Sequence, residues 1–130
     1  RFCIHIIIGG MSLGEKILII DKDKKLSDFY FKELQQDGFD VHTVKDGKEA
    51  VDKFHQQPAD VVVMELEIPG IPGLDCLQRF IEKKRDVKII IHTEHPEYKL
   101  NFKTWAADVF MTKVENPLPL KRKIHEVLHR

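Results

Sequence analysis

From Lys16 onward, short continuous apolar runs alternate with apolar positions at helical spacing. Residues 17–20 form an unbroken apolar run that stops at Asp21. Leu26, Phe29, Tyr30 and Leu34 then recur at the period of a helix over residues 24–37, with Gly38 as its stop. Residues 39–44 read as a strand, and Asp46 can cap a helix whose Ala50, Val51 and Phe54 share a face before Pro58. Residues 61–66 are the second unbroken apolar strand, interrupted only by Glu65. The segment 68–73, IPGIPG, cannot sit inside a helix and reads as a loop. Leu74, Leu77 and Ile81 mark the next helix, and residues 87–91 the next strand. Tyr98, Phe102, Trp105 and Ala106 fall at i, i+4, i+7 and i+8 and predict a fourth helix. Residues 109–111 form a short strand, and Leu120, Ile124, Val127 and Leu128 mark the last helix.

Five strands thus alternate with five helices. Unbroken apolar strands are buried on both faces, so the pattern predicts an α/β fold with a parallel sheet and helices on both sides. Right-handed crossovers then favour a doubly wound sheet, whose functional groups collect beyond the carboxyl ends of the strands. The residues at those ends are Asp21, Lys22, Asp23, Glu65, Leu66, Glu67, Thr93, Glu94 and Lys113.

The 130 residues are one domain's worth of chain. Lys plus Arg and Asp plus Glu both total 21, so no net field points to nucleic acid or to an anionic membrane. Cys3 and Cys76 are too few for a disulfide framework or a zinc site, and a reducing cytoplasm is the simplest setting. Residues 1–14 stand apart, read either as partly cloning-derived or as an extended tail, and are set aside, with the domain taken as residues 15–130. The apolar run within residues 4–8 is too short to span a bilayer. It reads alternatively as an extra strand. His92, Glu94 and His95 have the residue types of a metal site, but their spacing before Pro96 does not converge on one ion. A flavin-binding reading fails on DKDKKLSD, which is the wrong chemistry for a phosphate at the first turn.

Five segments together resemble the receiver domain of bacterial two-component response regulators. KILIIDKD (16–23) is similar to the first strand with its terminal acids, and KDGKEA (45–50) to the start of the second helix. DVVVMELEIPGIPGL (60–74) is similar to the third strand and its loop, KIIIHT (88–93) to the fourth strand, and ADVFMTK (107–113) to the fifth. The resemblance implies a CheY-like, flavodoxin-like (βα)5 fold with strand order 2-1-3-4-5, counting from the strand at 17–20. It implies a signalling module rather than an enzyme, with protein partners: a histidine kinase and an effector domain or protein. It also implies a possible homodimer through the face of the fourth helix, fifth strand and fifth helix, which carries Lys99, Lys103 and Trp105.

In that family an Asp at the end of the third strand accepts a phosphoryl group, and acids after the first strand bind Mg²⁺. Asp21 matches the first acid, Thr93 and Lys113 the phosphate contacts, and Phe110 the aromatic switch residue. The chain departs at two key positions. Glu65 stands at the phosphoacceptor position, and Lys22 replaces the second acid, leaving Asp23 one residue beyond. Val114 replaces the usual Pro after the lysine. Asp21, Glu65, Lys22 and Lys113 sum to zero charge, so the expectation is a charge-balanced pocket with the Lys22 ammonium near the metal position. Mg²⁺ binding is then weak or absent, since that ion requires oxygen ligands in near-octahedral array. Glu65, one methylene longer than Asp, is expected to reach Lys113 or Thr93 and imitate part of a phosphorylated state. The alternative is a working phosphoacceptor that uses Asp21 or Asp23 with Mg²⁺.

Overall fold

A computed structural model describes residues 14–97 and 106–129 in full, together with the backbone of residues 7–8 and 11–12. In chain order the elements are β1 (Ile7–Ile8), β2 (Met11–Ser12), β3 (Lys16–Ile20), α1 (Lys24–Gln36), β4 (Asp40–Val44) and α2 (Gly47–Gln56). They continue with β5 (Val61–Met64), α3 (Gly73–Lys83), β6 (Lys88–Thr93), β7 (Val109–Thr112) and α4 (Leu118–Leu128). The first two strands pair antiparallel as a separate two-stranded sheet. The other five form one parallel sheet in the order β4-β3-β5-β6-β7, which is the doubly wound order 2-1-3-4-5.

Alternation along the central strands builds two cores. Leu18, Ile20, Val62, Met64, Ile89 and Ile91 point to the face covered by Ala50 and Phe54 of α2 and by Leu77 and Phe80 of α3. Ile17, Ile19, Val61, Val63 and Ile90 point to the other face, covered by Tyr30 and Leu34 of α1 and by Leu120, Ile124 and Val127 of α4. Phe54 and Phe80 meet with ring centroids 4.6 Å apart and lock α2 to α3. Burial on both faces explains why, after Lys16 and Lys88 at their starts, these strands carry no polar residue until their carboxyl ends.

Local chemistry sets the boundaries. Asp23 caps α1 by accepting from the Leu26 amide, and Asp46 caps α2 by accepting from the Glu49 amide. Gly38 closes α1 in a left-handed conformation, φ 92°. Gly47 lies so close to the loop after β5 that a Cβ there would overlap the Ile71 backbone. Its amide donates to the Pro69 carbonyl at 2.9 Å, so KDGKEA and IPGIPG are two halves of one contact.

Several boundaries differ from the apolar pattern. The strand expected over 61–66 ends at Met64, and Glu65 and Leu66 are buried beyond it. The strand expected from Phe39 begins at Asp40, and the last strand runs on to Thr112. Four helices occur among the described residues; the helix expected from Tyr98 to Ala106 lies almost wholly outside them. Two aspartates that the periodicity did not single out tie the sheet's opposite end. Asp60 accepts from the Lys16 amide and Asp108 from the Ile89 amide, each at 2.8 Å.

Candidate functional site

The carboxyl ends of β3, β5, β6 and β7 converge on one ammonium. Lys113 follows β7, and its amide donates to the Thr93 carbonyl at 2.7 Å, continuing the β6–β7 ladder by one residue. That places Nζ 2.7 Å from Asp21 Oδ2 and 3.0 Å from Glu65 Oε1. The three side chains are only 10%, 6% and 5% exposed, so this is a buried ion triad rather than a surface pair.

The remaining oxygens are also engaged. Asp21 Oδ1 accepts from the Asp23 amide at 2.9 Å, and Glu65 Oε2 from the Glu67 amide at 3.2 Å. Thr93, fully buried, hydrogen-bonds the Glu65 carboxylate and accepts from the His95 amide at 3.1 Å. Burial works against the charged form of Glu65, but the hydrogen bonds from Thr93, the Glu67 amide and Lys113 outweigh it and hold this carboxyl below its ordinary pKa. Burial likewise works against the Lys113 ammonium, and its bonds to Asp21 and Glu65 overcome that and raise its pKa. The triad carries two negative charges against one positive. Two backbone amides and one hydroxyl supply the rest of the compensation.

This geometry corrects the charge-balanced pocket expected with Lys22. Lys22 is exposed and makes no ion pair among the described residues. It lines the rim of a cleft of about 250 Å³ that opens beside Asp21, together with Lys24, Thr43, Lys45 and Glu49. A lysine side chain at the end of a strand, next to open cleft, gains more from water than from a buried site already holding one ammonium. Asp23 is exposed as well, and its carboxylate caps α1 instead of facing the triad. Phe110 is half-buried and packs on the α2/α3 core. Val114 is exposed, and the described peptide bonds are all trans.

His92 and His95 diverge. His92 is 3% exposed and packs edge-on to Tyr30, with centroids 5.4 Å apart. Burial, aided by Lys113 and opposed by Glu65, depresses its pKa to about 4. His95 lies at the mouth of the site, Nε2 3.0 Å from Glu67 Oε2 and Nδ1 3.4 Å from Glu97 Oε1. In the sequence Glu67 is only a strand-end residue; its pairing with His95 joins two loops, and no one-dimensional spacing reveals it. Among the described residues no group of three or more His, Cys, Asp or Glu side chains is arranged to hold a metal ion. Cys76 is buried on the inner face of α3, and burial raises its thiol pKa to about 11, which makes it inert packing.

Comparison with known proteins agrees with this architecture. The family model "Response regulator receiver domain" matches residues 17–125. A probable transcriptional regulator, ycf27, of Guillardia theta is 32% identical over 118 residues, covering 89% of this chain and 46% of that protein. The regulatory protein VanRc of Enterococcus gallinarum is 29% identical, covering 91% of this chain and 52% of that protein. Among solved structures, the response regulator TrrA of Thermotoga maritima, in complex with Mg²⁺ and BeF, superposes with a TM-score of 0.81 at 34% identity. It covers 87% of this chain and 98% of that one. A CheY-like receiver from Methanospirillum hungatei shares the fold at a TM-score of 0.84, covering 89% of this chain and 94% of that one at 23% identity. The chain therefore belongs to the response regulator receiver family, a signalling domain of two-component systems with the CheY-like fold. It spans about half the length of the curated relatives it matches.

Proposed function

We propose that this domain is a pseudo-receiver, in which Glu65 occupies the phosphoacceptor position and signalling proceeds by protein contact without aspartyl phosphorylation. The observation that carries this reading is the Lys113 ammonium held between Asp21 at 2.7 Å and Glu65 at 3.0 Å. Lys113 and Thr93 are the groups the family turns toward a phosphoryl group, and both already engage the Glu65 carboxylate. Glu65 thereby imitates part of a phosphorylated state.

The donor set does not fit Mg²⁺. That ion takes six oxygen ligands at short distance and dehydrates reluctantly. Asp21 has one oxygen on Lys113 and the other on the Asp23 amide, while Asp23 is turned to the helix cap. Lys22, at the position of the second acid, adds a cation at the rim. The same contacts disfavour the alternative in which Asp21 or Asp23 accepts the phosphoryl group.

The partners are proteins of a cytoplasmic two-component pathway, a histidine kinase or an effector. TrrA, 34% identical, has been solved with the histidine kinase ThkA. A homodimer through the face of the helix expected from Tyr98 to Ala106, β7 and α4 is a further mode of contact, with no direct role in nucleic-acid or membrane binding.

Incubation with acetyl phosphate and Mg²⁺, followed by intact-mass analysis, tests the proposal. The expected result is unmodified mass and no saturable Mg²⁺ binding in the millimolar range. An adduct of one phosphoryl group on Glu65, Asp21 or Asp23 refutes it.

A further inference from the structure

His95 has a carboxylate at each ring nitrogen: Glu67 at 3.0 Å from Nε2 and Glu97 at 3.4 Å from Nδ1. A neutral imidazole donates from one nitrogen only, and only the imidazolium donates from both. When its ring is protonated, His95 therefore joins the loop after β5 to the segment after β6 as a double donor. Both backbones run directly into the buried triad. The Glu67 amide donates to Glu65 Oε2, and the His95 amide donates to Thr93 Oγ1. The side-chain bridge thus closes over the two amides that hold Glu65 and Thr93 in place.

We propose that His95, Glu67 and Glu97 form a proton-operated clasp over the mouth of the site, closed when His95 is charged and loosened when it is neutral. An imidazole can gain or lose one proton without breaking its ring contacts to both carboxylates at once, so the clasp has two charge states. Among the described residues, the carboxylates paired with the ring are Glu67 from the end of β5 and Glu97 from its own segment, while Lys113 from the end of β7 holds Glu65 behind Glu67. Deprotonation removes one of the two donations. With it goes the electrostatic hold on the Glu67 loop, and the Glu65 carboxylate becomes more open to solvent and to partner side chains. His92 cannot supply this response. It is buried against Tyr30 on the other face of the strand and stays neutral at physiological pH.

The inference stands whether or not Glu65 accepts a phosphoryl group, because its readout is a conformational titration and not a mass change. The test is a series of ¹H–¹⁵N spectra with ¹³C detection of the Glu65 carboxyl, from pH 5 to 8. The amides of Glu67 and His95 and the Glu65 carboxyl are expected to shift together, with a single midpoint shared by the His95 ring. His95→Gln, at a half-exposed site, should abolish this common transition and leave the rest of the spectrum in place. Glu97→Gln should retain it with the midpoint moved to lower pH, which keeps the test available should the first variant fold poorly. Glu67 and Glu65 signals that stay flat while the His95 ring titrates would overturn the clasp. So would a common transition that survives in His95→Gln.

Discussion

Lys113→Met is the sharpest perturbation of the site, because it removes the single cation shared by two buried carboxylates. The Lys113 side chain is 10% exposed, and Asp21 and Glu65 are 6% and 5% exposed, so water cannot replace the ammonium cheaply. Removing one partner of a buried ion pair costs about 3–5 kcal/mol, mostly because the other charge is left stranded. Two stranded carboxylates place Lys113→Met at the upper end of that range at pH 7. For a domain of this size the urea m-value is about 1–3 kcal/mol/M, so the unfolding midpoint should fall by about 2 M. The sign of the pH dependence is fixed by Glu65. Its pKa is lowered in the fold, so its contribution is present above the unfolded carboxylate value, roughly 4.3, and is lost as pH falls through the folded value. In the variant the carboxylates have lost their cation and take up protons readily in acid. The deficit relative to the parent is therefore largest at neutral pH and narrows toward pH 4. Urea titrations followed by circular dichroism at pH 7 and pH 4.5 measure both quantities. A midpoint change below about 0.3 M at pH 7, or a deficit that does not shrink on acidification, would refute the buried-triad account.

Further expectations follow from other contacts. Gly47→Ala drives a Cβ into the Ile71 backbone and should cost about 1–3 kcal/mol by thermal unfolding, with loss of order in the 68–73 loop. His92, held near pKa 4 by burial, makes the unfolded chain bind more protons than the folded one between about pH 4 and 6.5. Stability should therefore rise with pH through that window, by an order of magnitude of about 3 kcal/mol, and His92→Leu should flatten the slope. Glu65→Asp combined with Lys22→Asp places the family's acids at both positions, so calorimetry should show stronger Mg²⁺ binding than in the parent. Lys121→Met removes the ion pairs with Glu33 at 3.2 Å and Asp37 at 3.4 Å that join α4 to α1, and should lower the urea midpoint modestly.

The parallel, doubly covered sheet was legible because two-sided burial leaves a clear trace, Ile17–Ile20 and Val61–Met64 carrying no polar residue, whereas the strand order came from the resemblance to receiver domains. Glu65 and Thr93 stood out for the same reason, as polar residues at the ends of apolar runs. The roles of Lys22 and Asp23 were less legible. Adjacent charged residues after a strand look equivalent in one dimension, yet successive side chains there diverge. Asp21 turns inward, Lys22 outward, and Asp23 back along α1 to its Leu26 amide. Capping competes for an Asp at that position, and the competition is decided by backbone direction rather than by residue type. The His95–Glu67 contact joins the loops that follow two different strands and has no periodic signature at all.

The shared ammonium also has a kinetic side. Asp21 and Glu65 lie at neighbouring strand ends, β3 pairing directly with β5, while the lysine that reconciles them arrives only with residue 113. An assembly of the first strands without β7 holds two like charges side by side with no cation between them. Long-range strand pairing pays its loop-closure entropy before its contacts repay it. Docking of β7 is thus the step that converts an electrostatically frustrated half-sheet into a cooperative whole. Mutations at Lys113 should fall chiefly on the unfolding rate if that docking follows the folding barrier, and on the folding rate if it defines it.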